Sequence, residues 1–231
     1  MVDVEREGEV VRLFLNRPEK ANALNSAMLK ELRRALEGLD ARVVVLAGRG
    51  KTFCGGADIT ELRALNAETG PAFVTRIHEV CAAIRDLPVP VVARLHGAVI
   101  GAGLEIAAAC DLRVAAEGTK FSMPEVKLGI PSVVEAALLP RLMGSGRAAW
   151  LVLTGAPIDA RRALEWGLVE EVSPDAEKLV QTLLKASPQA LRVQKRLLQL
   201  WDEAPLATSV AASIAAFGRT TISSTDGGLG N

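Results

Sequence analysis

The chain has 231 residues, 49% of them apolar, and its 27 basic and 27 acidic side chains cancel. That length suits one large domain or a domain with an appendage, with ample apolar material for a core. The charge balance excludes a chain-wide attraction to nucleic acid or to an anionic membrane, although a local basic cluster can still hold a phosphate-bearing ligand.

Cys54, Cys81 and Cys110 are odd in number and widely spaced, with no CxxC pair. This speaks against a zinc site or a disulfide framework and fits reduced thiols in a cytoplasm. The segment Met1-Val2-Asp3-Val4-Glu5-Arg6 is charged and alternating, unlike a signal peptide. The most apolar run, Ala98 to Cys110, contains Glu105 and is too short to span a bilayer. A soluble, cytoplasmic protein is expected.

Val2 and Val4, then Val10, Leu13 and Leu15, recur with roughly period-two spacing around Gly8 and predict two strands. Asn16-Arg17-Pro18 closes them as a turn. From Ser26 to Leu39, apolar residues at Met28, Leu29, Leu32, Leu36 and Leu39 form a helical stripe. Arg42 to Ala47 predicts a buried strand, followed by the glycine-rich loop Phe53-Cys54-Gly55-Gly56-Ala57-Asp58. A helix over Ala72 to Asp86 and a strand over Val89 to Leu95 lead to a second glycine loop, Gly97 to Gly103, and a strand at Leu112 to Ala115. Strand, glycine loop and helix thus recur, as a sheet with helical crossovers requires. Beyond Ile130 the pattern is helical, with amphipathic helices at Lys178 to Lys185 and Gln189 to Leu200. The last residues, Thr220 to Asn231, are polar and glycine-rich and predict a loose end.

Few side chains offer chemistry. The two histidines, His78 and His96, are the only candidates for the base of a Ser-His-Asp triad, and no GxSxG is present. Cys54 reads as a small buried residue rather than a nucleophile. Gly101-Ala102-Gly103 lacks the third glycine of a dinucleotide fingerprint. The acids are more informative. Glu105 stands among small and apolar residues, where a carboxylate is costly unless partnered or functional. If a helix begins near Ala102, Glu105 shares its face near the positive end of the dipole, as a catalytic group or as a capping glutamate. Glu125 follows Pro124 and opens the next element. Glu135 lies in the apolar stretch Val133 to Ala137, as a third acid or the polar stripe of a helix.

Together these segments resemble the crotonase superfamily of enoyl-CoA hydratases and isomerases. The resemblance runs from Asn16-Arg17-Pro18-Glu19-Lys20-Ala21-Asn22-Ala23-Leu24-Asn25, through Phe53 to Ile59 and His96 to Asp111, to Phe121-Ser122-Met123-Pro124-Glu125 with Leu128-Gly129-Ile130-Pro131. Leu153-Thr154-Gly155, Ala163 and Gly167-Leu168-Val169 resemble a late motif.

The resemblance implies an α/β fold: a crotonase-like right-handed ββα spiral over residues 1–173 that carries the acyl-CoA site. A helical, oligomer-forming region over 174–231 and assembly as a homotrimer or homohexamer are implied as well. It further implies that the N–H groups of Ala57 and Ala102 bind a thioester oxygen, and that Glu105 and Glu125 are catalytic. Lys20, Ala21, Ala23, Asp58 and Ile59 match the segments lining the coenzyme A arm; Lys20 meets a phosphate or is a solvated loop lysine. No metal and no separate cofactor are implied, since coenzyme A belongs to the substrate. Hydration of a 2-enoyl-CoA is the expected activity. Double-bond isomerisation and a non-catalytic acyl-CoA-binding scaffold are the alternatives. The sequence departs from the pattern at Ser132-Val133-Val134-Glu135, where hydratases often carry a glycine-rich stretch, and beyond Phe217, where a charged amphipathic ending is expected.

Overall fold

A computed structural model describes residues 1–218. Strands β1 (Val2–Glu7) and β2 (Val10–Leu15) pair antiparallel. Their two-residue turn places Gly8 at φ +57, where glycine carries no Cβ penalty. Helix α1 (Ser26–Leu36) begins where the Asn25 side chain accepts the Met28 N–H at 2.8 Å. It buries Met28, Leu29, Leu32 and Leu36 and stops short of the expected Leu39 because Glu37 is extended.

The chain then repeats one pattern. Strand β3 (Val43–Gly48) leads through the first glycine loop to α2 (Ile59–Ala64) and α3 (Gly70–Asp86). Strands β4 (Val91–Leu95) and β5 (Ala98–Ile100) lead to α4 (Ala102–Ala109), and β6 (Leu112–Ala115) leads to β7 (Lys120–Ser122). After 3-10 turns at Glu125–Leu128 and Val134–Leu138 come α5 (Leu139–Met143), α6 (Ser145–Thr154), β8 (Ile158–Asp159), α7 (Ala160–Trp166) and β9 (Glu171–Val172). Helices α8 (Glu177–Lys185), α9 (Pro188–Glu203) and α10 (Leu206–Phe217) follow. The expected loose end from Thr220 onward lies outside the described residues.

Two sheets result. The larger has the order β1-β2-β3-β4-β6-β9, parallel except for the first hairpin. The smaller has the order β5-β7-β8 and is extended by bridges Cys54↔Val99 and Leu24↔Ala57. Each turn of the chain therefore contributes one strand to the large sheet, one strand or bridge to the small one, and then a helix or 3-10 turn. This is the expected α/β, crotonase-like ββα spiral with a helical C-terminal region. The small sheet was not visible in the sequence, because strands of two or three residues are too short to show a period.

The large sheet is buried on both faces. Val44, Leu46, Val91 and Ala93 join the main core with α1, α3 and α4. Val10, Val43, Val45, Val92 and Val114 form a second cluster under Val180 of α8. Strands covered on both faces read as continuous β-branched runs, as here. Helix α9 is fastened by Lys195, which is 4% exposed. Its ammonium donates to the carbonyls of Ile84 (3.1 Å) and Val89 (3.0 Å) and to Asp111 Oδ2 (2.7 Å).

An ammonium this deeply buried depends on its carboxylate. Asp111→Ala is expected to lower the stability seen in urea unfolding by about 3 kcal/mol, because it strands that charge. Lys195→Met, which removes the charge itself, should cost less. The reverse ranking would show that the pair is not what holds α9.

Candidate active site

The site is built where the two glycine loops cross. The Cys54 N–H donates to Ala98 O (3.1 Å) and the Ile100 N–H to Cys54 O (3.0 Å). Gly103 makes this approach possible: a Cβ there would lie 2.6 Å from the Cys54 Cβ. Ala57 is pinned on its other side by Leu24 N–H to Gly56 O and Asp58 N–H to Leu24 O, both 2.8 Å. Ala102 is the first residue of α4, behind Gly101 at φ +51. Among the described residues, neither the Ala57 nor the Ala102 N–H has an acceptor. The Ala102 N–H also lies in the first turn of a helix, where the dipole favours an anion.

The two acids meet the same crossing. Glu125 opens its 3-10 turn behind Pro124, and its Oε1 occupies the space that a Cβ on Gly101 would fill. Its Oε2 accepts the Ser132 hydroxyl at 3.0 Å. Burial raises its pKa, against the pull of its own backbone N–H and of Ser132. Glu105 sits in the first turn of α4 and is 4% exposed. Burial first, then the Glu125 and Glu135 carboxylates, push its pKa up to about 8; the Ala136 N–H opposes them. Two neighbouring carboxyls whose pKa values are both raised by burial thus lie at one crossing, a pairing suited to general acid–base chemistry.

The coenzyme-arm candidates lie on one rim. Lys20 and Ala21 are exposed, Ala23 is half-buried, and Ile59 is exposed. Ala21 and Asn22 take φ +51 and +54. Asn22 holds that bend, accepting from Arg17 N–H (2.8 Å) and donating to Arg49 O (2.9 Å) and Thr52 O (2.7 Å). Asp58 faces inward: Oδ2 takes Arg17 Nη1 at 2.6 Å and Oδ1 caps α2 at Thr60 N–H, 2.9 Å. The Arg17 bond, set against burial, holds its carboxyl below the usual range. Its charge is therefore spent on shaping the rim.

Other candidates are engaged elsewhere. Burial pushes the Cys54 thiol up to about 12, as suits an inert core residue. His96 lies against Gly50 O and Arg94, both 3.1 Å away. His78 lies against Glu135, so neither histidine enters a serine triad. Ser132, Asn22 and the His78–Glu135 contact were not singled out as site partners by sequence: the Asn22 bonds to Arg49 and Thr52 and the His78–Glu135 contact span long chain separations, and the Ser132 bond to Glu125 depends on how the intervening loop folds back. The segment 132–135 keeps a backbone suited to glycine: Val134 has φ +42, strained for a β-branched residue.

Comparison with known proteins identifies the family. The enoyl-CoA hydratase/isomerase family profile matches residues 5–227. A short-chain-enoyl-CoA hydratase from Clostridium acetobutylicum is 35% identical, covering 94% of this chain and 88% of its own. A crotonyl-CoA hydratase from Syntrophomonas wolfei is 35% identical over 83% of this chain and 78% of its own. The crystal structure of enoyl-CoA hydratase from Thermoplasma volcanium superposes with a TM-score of 0.91 at 33% identity, covering 94% of this chain and 90% of that one. The chain belongs to the enoyl-CoA hydratase/isomerase family.

Glu105 also carries a stability signature. The unfolded carboxyl loses its proton near the ordinary value of 4.5, the folded one near 8. Between those values the folded state binds more protons, so stability falls as pH rises through the window and is level above it. Glu105→Gln removes this cost. The variant is expected to melt a few degrees above the native chain at pH 8.5 and to match it below pH 4.5. Equal melting temperatures at both pH values would refute the buried-acid account.

Proposed function

We propose that the chain is an enoyl-CoA hydratase that adds water across the double bond of a 2-enoyl-CoA. The observation that carries this reading is the convergence of two acceptor-free amides and two raised carboxyls on one crossing of the glycine loops. The thioester oxygen lies between the N–H groups of Ala57 and Ala102, which stabilise the enolate as it forms; one such donor is worth roughly 3 kcal/mol in the transition state. Glu105 orients water against Cβ and accepts its proton. Glu125 delivers a proton to Cα. The hydroxyl and hydrogen added equal one water, so no metal or redox cofactor is required by the chemistry.

Lys20, Ala21, Ala23 and Ile59, backed by Asp58, form the rim along which the coenzyme A arm lies, with Lys20 toward a phosphate. The exposed apolar residues Trp201, Leu206, Val210 and Ile214 supply contacts for a homotrimer or a dimer of trimers. No helix among the described residues is long and apolar enough to cross a membrane, and we place the activity in the cytoplasm.

Glu105→Gln and Glu125→Gln are each expected to slow crotonyl-CoA hydration by at least about a hundredfold. Near-native rates in both variants would sink the assignment. Turnover of a 3-enoyl-CoA that survives Glu105→Gln would instead mark isomerisation, which needs one base. Hydration by the native chain should rise as pH climbs toward 8, as Glu105 takes the ionised form that its role as base requires.

A further inference from the structure

The proposed cycle leaves a residue of its own. Each turnover takes a proton from Glu125 and deposits one, from water, on Glu105; before the next, half-buried Glu125 takes a proton from bulk water as product leaves, and Glu105 must be emptied. Glu105 is buried, and a bound acyl-CoA would fill the crossing in front of it. The structure offers a route behind it.

Glu135 is 6% exposed, and the 3-10 turn that carries it packs against α3 and α4. The strained Val134 precedes it, and the following residue's N–H, that of Ala136, bonds the Glu105 carboxyl. Glu135 Oε1 lies 2.7 Å from His78 Nδ1. Its Oε2 is buried without a hydrogen-bond partner among the described residues. The Cys81 thiol hydrogen-bonds the Glu135 carboxylate, but a thiol is a weak donor, so this buried acid remains poorly satisfied. The imidazole at the other end is 58% exposed. A cavity of about 170 Å³ lies along this contact, large enough for water.

The charged and titratable groups around the contact are few. Helix α3 presents His78, Cys81, Arg85 and Asp86, α4 presents Glu105, and α9 presents Glu203. Arg85 is occupied by Glu203 at 2.9 Å, and burial, reinforced by Glu135 and Glu105, keeps the Cys81 thiol protonated. Behind Glu105, away from the glycine-loop crossing, Glu135 is the neighbouring acid and the exposed His78 its contact with solvent.

We propose that Glu135 and His78 form a proton outlet that returns Glu105 to its ionised state after each turnover. This rests on the hydratase reading above. The Glu105 proton passes to the Glu135 carboxylate, directly or over a water in the recess. Glu135 Oε1 then protonates His78 Nδ1, and Nε2 releases a proton to bulk water. Only O–H and N–H bonds form and break, and no electron is transferred. Histidine suits the last place because its imidazole can accept at one nitrogen and release at the other. Glu135 and His78 are thus positioning residues that act through Glu105, without touching the thioester.

The test is steady-state hydration of crotonyl-CoA by His78→Ala and Glu135→Gln, in H2O and D2O, with increasing imidazole in the buffer. Both variants are expected to lose kcat by roughly tenfold or more at unchanged KM, with an enlarged solvent isotope effect. Free imidazole should restore His78→Ala in a concentration-dependent way but not Glu135→Gln, and Glu135→Asp should recover part of the rate. Because His78 is exposed, its variant serves even if Glu135→Gln fails to fold. Unchanged kcat and isotope effect in His78→Ala would overturn the outlet, showing that the proton passes back between Glu105 and Glu125. A loss of kcat that imidazole leaves untouched would overturn it too, as a packing defect. If the native chain hydrates crotonyl-CoA and Glu105→Gln does not, the hydratase reading stands whatever the outlet's fate.

Discussion

The site depends on two stretches of backbone lying closer together than side chains normally permit. Residues 54–57 and 98–103 are laced by amide–carbonyl bonds, and Gly103 gives Cys54 its place. Everything chemical follows from that contact. It leaves the Ala57 and Ala102 amides without acceptors, starts a helix whose first turn carries Glu105, and opens beside Gly101 the space taken by the Glu125 carboxyl. Small residues at these positions are a geometric necessity: a side chain would separate the loops, and with them the groups that act together.

The spiral explains why such a contact is stable. Successive strands of the large sheet deliver the chain to the same edge, and the small sheet stitches the loops there. Valines on both faces of the large sheet, against the main core on one side and α8 on the other, make its strands a rigid base. Burying Glu105 in that environment costs stability, and the acid's raised pKa is the measure of it. Strain at Val134 is a second cost located within the same few residues.

Much of this was readable before the coordinates. The stripe Met28-Leu29-Leu32-Leu36 and the run Val43 to Ala47 announced their elements, and an isolated Glu105 among alanines announced a chemical role or a cap. The resemblance joined Glu105 to Glu125, and the structure brings both to the crossing. What stayed hidden was formed by partners distant in sequence. His78 against Glu135 and the bridge of Cys54 to Val99 have no local periodicity. Glu135 stood out as a third acid in an apolar stretch and as a departure from a glycine-rich one; its contact with α3 required the fold. The inward turn of Asp58 toward Arg17 is likewise invisible locally, since the two are 41 positions apart.

The ammonium of Lys195 links the tail of one spiral turn to the head of the next, accepting no substitute from solvent because it is enclosed. Its two carbonyl partners belong to the end of α3 and the approach to β4, and its carboxylate to the residue before β6. Helix α9 therefore cannot detach as a separate unit without depriving two main-chain oxygens and an aspartate of the spiral of their ammonium. Unfolding of α9 is thereby coupled to that of the spiral, and a chain cut short before this lysine forfeits part of the scaffold under the candidate site.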